Sequence, residues 1–251
     1  MNAVEISIIG PAFLAGLLVL VTHVPLGAEV LRRGIIFIDL AIAQVAGLGV
    51  IAADRMGWEQ NGWMVQIAAV SAALVAAVIL NWTDKRWPEI QEALIGVCFI
   101  LAATAGILVL AGNPHGGEHL KELLVGQILW VTFEGLLPIA IISAVILALW
   151  YLLREQTRGL GFYALFAFAV TASMQLVGVY LVFASLIIPA LATRKMKARS
   201  IGLVSAYGIG TVGYLSGLIL STRLDLPAGA VIVWCLAAFA ILFGTLTNRG
   251  Q

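Results

Sequence analysis

The chain has 251 residues, of which 62% are hydrophobic and 11% charged, with a net charge of +1. A soluble domain carries about 25% charged residues and must cover itself with polar groups, so this composition excludes an ordinary soluble domain and points to lipid as the solvent. The charge balance gives no argument for an acidic partner or for nucleic acid.

A helix needs about 20 apolar residues to cross ~30 Å of hydrocarbon. Runs of that kind fall at 8–31, 35–53, 63–80, 93–111, 136–153, 201–221 and 228–246. They are continuously apolar and do not alternate over about 10 residues, so the spans are helices and not the strands of a closed barrel. The start MNAVEISIIG has no basic stretch, and the first run is expected to be a retained span.

The first run holds His23, followed by Pro25 and Gly27, which open the backbone ladder nearby. Glu29 follows, either as a snorkelling partner for Arg33 four residues on or as an acid of a transport path. Asp39 opens the second run in FIDLAIAQVAGLG, with Gln44 one and a half turns further along. Asp39 is either a helix-start acid paired with Arg32 or Arg33, or a carboxylate lining a cation path. Ionisable groups inside spans are costly and are functional candidates by default. Imidazole and carboxylate together suit a divalent transition ion such as zinc or manganese.

Cys98 and Cys235 lie in apolar runs and read as small buried hydrophobes. The longest polar stretch is 112–135, GNPHGGEHLKELLVGQILWVTFEG, whose middle at 119–130 has helical periodicity suited to the membrane interface. It gathers His115, Glu118, His119 and Glu122, at spacings that serve a metal or simply leave solvated side chains. The 160–192 run is too long for one span, and Met174–Gly178 offers a break that leaves two short segments. Gly47, Gly49, Gly202, Gly208, Gly210, Gly213 and Gly217 suit close helix packing.

Charge orients the spans. Arg32, Arg33, Lys85, Arg86, Arg154, Arg158, Arg194, Lys195, Lys197, Arg199 and Arg249 all fall on one side if the connections 32–34, 81–92, 154–159 and 193–200 and the C-terminus face the cytoplasm. Only Arg55, Lys121 and Arg223 remain for the other side. Basic loops at both ends of 160–192 require an even number of crossings there, which gives eight or nine segments, the N-terminus outside in the nine-span case. The spans hold no nucleophile–base pair or HExxH-like set, so an enzyme is not expected. With no nucleotide-binding motif or soluble domain either, such parts are expected on partner chains.

Four stretches carry a family resemblance. They are Pro25-Leu26-Gly27 through Arg32-Arg33 to Phe37-Ile38-Asp39; Leu123–Val131 (LLVGQILWV); Val177–Thr193 (VGVYLVFASLIIPALAT); and Asp225-Leu226-Pro227-Ala228-Gly229. In this order they resemble the permease subunits of zinc/manganese/iron ABC importers, in which the second stretch is a short external helix. The resemblance implies an all-α polytopic membrane bundle of eight to nine segments, one transmembrane permease domain over 1–251, with a type II importer architecture. It further implies a multi-pass protein of the bacterial inner membrane and a homodimer of permeases. Its partners would be a cytoplasmic ABC ATPase and a periplasmic or lipoprotein metal-binding protein. No cofactor is bound permanently; the cargo is a divalent metal ion, zinc first, with manganese or iron as alternatives.

Two departures stand out. The family's second span carries Asp-x3-His, whereas Ala43 occupies the fourth position after Asp39 here. Asp39 alone carries over, and His23 is a candidate for the missing imidazole. The family also has a longer ATPase-docking stretch where this chain has only Arg154–Gly159, so docking is expected around Arg154, Arg158, Arg194 and Lys195 and at 81–92. Two other readings stay open: a permease for a chelated metal or other small ligand, and an ATP-independent carrier or channel.

Overall fold

The computed structural model describes residues 3–58, 62–152, 159–196 and 198–248. All the regular structure among them is helical: α1 (Ala3–Arg33), α2 (Ile38–Arg55), α3 (Trp63–Arg86), α4 (Gln91–Leu110), α5 (Gly116–Val125), α6 (Phe133–Leu152), α7 (Leu160–Val177), α8 (Val179–Thr193), α9 (Arg199–Leu224) and α10 (Ala228–Asn248), with short 3-10 turns at Pro88–Ile90 and Ile128–Trp130. Seven of the helices are long and apolar enough to cross a membrane, and α8 is a shorter apolar helix of 15 residues. With α2 they fit the expected bundle. The 160–192 run breaks as expected, at Gly178 between α7 and α8.

The second family stretch is a correction. It is not one helix: α5 stops at Val125, Gly126 turns the chain with φ 73°, and only a 3-10 turn follows. The leucine periodicity runs on through Gly126, but the backbone there is left-handed and cannot continue a right-handed helix.

The chain forms two compact units, Met1–Arg33 with Val125–Ala144 and Leu176–Gln251, and Gly34–Leu124 with Val145–Gln175. In the first, α1 packs on α8 and α9, and α10 packs on both α8 and α9. Lipid tails are as apolar as leucine, so helix association here rests on close packing and internal hydrogen bonds. Small residues supply the first. A Cβ on Gly27 would lie 2.1 Å from the Leu186 carbonyl oxygen, and one on Gly217 would lie 2.6 Å from Ile232 Cα. The ring of Tyr214 rests on Gly16, and its hydroxyl meets Ser185 Oγ at 2.8 Å.

Pro25 lies inside α1 and has no N–H for the Val21 carbonyl four residues back. Tyr207 of α9 donates its hydroxyl to that oxygen at 3.1 Å. The proline is thus tolerated because a neighbouring helix satisfies the carbonyl it frees.

Three connections of this unit converge. Gly178 has φ 82° and ψ 159°, a conformation essentially confined to glycine. A Cβ there would fall 2.3 Å from Gly126 N, and a Cβ on Gly126 would fall 2.2 Å from the Val177 carbonyl carbon. Gly229, in the first turn of α10, approaches the Val125 carbonyl oxygen just as closely, at 2.5 Å for an added Cβ. Each glycine belongs to a different family stretch.

In the second unit α2 packs on α3 and α4. These helices bury Ala41, Ala43, Ala46, Ala69, Ala73 and Ala77, and Gly49 is set against the Ala68 carbonyl. Both ends of α2 are held by α4. Glu92 Oε1 accepts the Phe37 N–H at 3.1 Å at the start, and Arg55 donates to the Val109 carbonyl at 2.8 and 3.1 Å at the end. Gln91 ties α3 to α7, donating to the Leu80 carbonyl at 2.9 Å and to Tyr163 Oη at 3.4 Å.

Candidate functional site

His23 sits in α1, two residues before Pro25, and is fully buried. Its Nδ1 lies 2.9 Å from the Val19 carbonyl oxygen and 2.9 Å from Thr22 Oγ1. A carbonyl can only accept, so Nδ1 carries the proton and Nε2 keeps its lone pair. Nε2 is buried and meets no partner among the described residues. The ring is therefore oriented by a carbonyl on one nitrogen and bare on the other, the arrangement in which a histidine ligates a metal.

Asp39 stands in the first turn of α2, fully buried. Neither Oδ1 nor Oδ2 has a hydrogen-bond partner among the described residues. The helix N-terminus favours a negative charge there, but only by about 0.3–1 kcal/mol in ordinary settings. That is small against the cost of an ionised carboxylate in apolar surroundings. Pairing with Arg32 or Arg33 is not what the structure shows. Both arginines instead hold Glu29: Arg32 Nε and Nη2 donate to its two oxygens at 2.9 and 2.5 Å, and Arg33 Nε donates at 2.7 Å. Glu29 is thus an anchored acid at the basic end of α1, as its spacing to Arg33 suggests.

Gln44, half-buried, lies five residues beyond Asp39, which on a helix is about 140° around the axis. It does not share a face with the carboxylate; the position one turn on belongs to Ala43. In the external stretch, His115 Nδ1 meets Glu118 Oε2 at 3.2 Å, with both side chains over 70% exposed. The structure brings together this pair, and among the described residues no three His, Cys, Asp or Glu side chains are grouped to hold a metal. Arg194 and Lys195 are exposed just after α8. Arg154 and Arg158 lie outside the described residues.

Some polar groups escaped the sequence reading. Thr22 abuts the His23 ring, Glu92 caps α2 close in sequence to Asp39, and Gln66 donates to Gln175 Oε1 at 2.5 Å to join α3 to α7. For Thr22 and Gln66 the signal was a polar residue within an apolar run, the same that singled out His23, whereas Glu92 closes the polar 81–92 connection.

Comparison with known proteins agrees with this architecture. The profile of the ABC 3 transport family matches residues 5–158 and 153–246. The manganese transport system membrane protein MntC of Halalkalibacterium halodurans is 25% identical over 97% of this chain and 89% of its own length. The high-affinity zinc uptake system membrane protein ZnuB of Haemophilus influenzae is 24% identical, over 94% of this chain and 96% of its own. Among solved structures, PsaBC from Streptococcus pneumoniae in complex with Fab shares the fold with a TM-score of 0.75 at 21% identity, over 93% of this chain and 90% of that one. A helical bundle with these stretches in order and a profile match along nearly its whole length, this chain belongs to the ABC 3 transport family.

Proposed function

We propose that this chain is the membrane-spanning permease subunit of an ABC importer for a divalent metal ion, zinc ahead of manganese and iron. ATP binding and hydrolysis on separate cytoplasmic ATPase chains drive its alternating access. A periplasmic or lipoprotein metal-binding protein delivers the ion to a homodimer of permeases in the bacterial inner membrane. One observation carries the reading: His23 and Asp39 each keep ligating atoms buried and without partners inside apolar helices. Such groups are expensive in a membrane and are held there for a substrate. An imidazole nitrogen and carboxylate oxygens suit a divalent transition ion such as zinc or manganese. The relatives named for zinc and for manganese support the same cargo class.

The test is ion uptake by vesicles holding this chain with its ATPase and binding protein. ATP-dependent zinc uptake is expected, reduced at least tenfold in His23→Ala and in Asp39→Ala. Undiminished uptake in both inserted variants would sink the assignment of these residues. Uptake without ATP would sink the importer reading, and faster uptake of manganese would reassign the ion.

A further inference from the structure

In the first unit α8, residues 194–196 and 198 and α10 line an apolar groove of about 760 Å³. Its walls include Leu191, Ile201, Ile241 and Leu246, all exposed, and Arg194 and Lys195 stand at its rim. Along α10 it runs from Ala237 to Thr247. At 1.5 Å per residue this is about 15 Å, half of a ~30 Å hydrocarbon core. That length matches one leaflet, and the two cations stand at the rim of the groove.

Among the described residues those cations have no acidic partner in the groove. No lining residue is acidic, and the sequence has no Asp or Glu between Glu155 and Asp225. Arg194 Nη1 makes a long 3.5 Å contact to the Leu191 carbonyl. A guanidinium has five donors, matched in shape to phosphate oxygens, and lysine adds a mobile point charge. The run Arg194, Lys195, Lys197, Arg199 extends the same sign along the connection. Basic pockets between transmembrane helices on the cytoplasmic side are headgroup sites. A second copy fits less well, because a two-fold contact through this groove would set the same cations against each other.

We propose that the groove binds an anionic phospholipid, with an acyl chain along α8 and α10 and its phosphate between Arg194 and Lys195. The site is independent of the transported ion, and it takes the place of the expectation that Arg194 and Lys195 dock an ATPase chain.

The test is native mass spectrometry of the full chain, purified in detergent with equal phosphatidylglycerol and phosphatidylcholine. Retention of phosphatidylglycerol is expected to exceed that of phosphatidylcholine about 30-fold, the contribution of two basic contacts. The ratio should fall to about one in R194Q/K195Q and stay high in R223Q, at the other end of α9. Ala240→Phe, which fills the groove, should remove the lipid; if it fails to insert, the charge variants decide alone. Equal retention of both lipids, or a preference unmoved in R194Q/K195Q, would overturn the proposal. So would a lipid-free dimer that Ala240→Phe dissociates.

Discussion

The backbones of Gly126 and Gly178 lie directly against each other, each at positive φ and each without room for a Cβ. Two penalties therefore meet at either position, one conformational and one steric. Gly34 separates them: its φ is 71°, yet nothing lies within 4 Å of an added Cβ. Gly34→Ala should cost about 1–2 kcal/mol from conformation alone. Gly178→Ala and Gly126→Ala should each cost roughly twice as much or more, because the methyl meets backbone that cannot swing aside. Thermal unfolding in detergent, compared across the three variants, checks the order. Equal losses would show that the junction yields.

Tyr207 and Pro25 form a second testable pair. Tyr207→Phe leaves the Val21 carbonyl without its donor and should cost about 0.6–1.7 kcal/mol, the range for hydrogen bonds between membrane helices. In a Pro25→Ala background the restored N–H should satisfy the same carbonyl, and Tyr207→Phe should then be nearly silent. A double-mutant cycle on unfolding free energy reads this directly, and additive losses would contradict it.

Asp39 and Glu29 should respond to amide substitution in opposite ways. Asp39→Asn replaces a buried ionisable carboxyl whose oxygens have no partner in the described structure, and should raise the unfolding temperature by about 2–4 °C while abolishing uptake. Glu29→Gln removes the charge that holds Arg32 and Arg33 and should lower it, with ion preference intact. Paired melting and uptake measurements decide. A stabilised Glu29→Gln would mean the arginine fork is not an anchor.

Ion binding offers a readout that needs no transport. A ligand at 100 times its dissociation constant stabilises by about 2.7 kcal/mol. Excess zinc should therefore raise the unfolding temperature of the wild-type chain and of Glu29→Gln, and leave His23→Ala unmoved. A shift retained in His23→Ala would remove that imidazole from the site.

Much of the bundle was legible because lipid imposes one rule, an unbroken apolar run for each span. The break at Gly178 was readable too, since a 33-residue run exceeds a single crossing. Glu29 was legible from spacing to Arg33 alone, because residues four apart on a helix are neighbours. The end of α5 was not, since leucine periodicity says nothing about a backbone angle at Gly126. Nor was the freedom of Asp39 from Arg32 and Arg33: both basic residues turn back to Glu29 on their own helix, and nearness in sequence does not show which acid wins. Contacts such as Tyr207 to Val21 join distant parts of the chain, and no local pattern announces them.

The junction of glycines also bears on how the protein is made. Gly126 leaves the ribosome before Gly178, and Gly229 follows only with α10. Spans enter the bilayer in order of synthesis, so the Gly126 turn must wait for α6 to α9 before the Val125 carbonyl meets Gly229. Until then the close approach at Gly126 is incomplete. Synthesis of α10 is what closes the first unit.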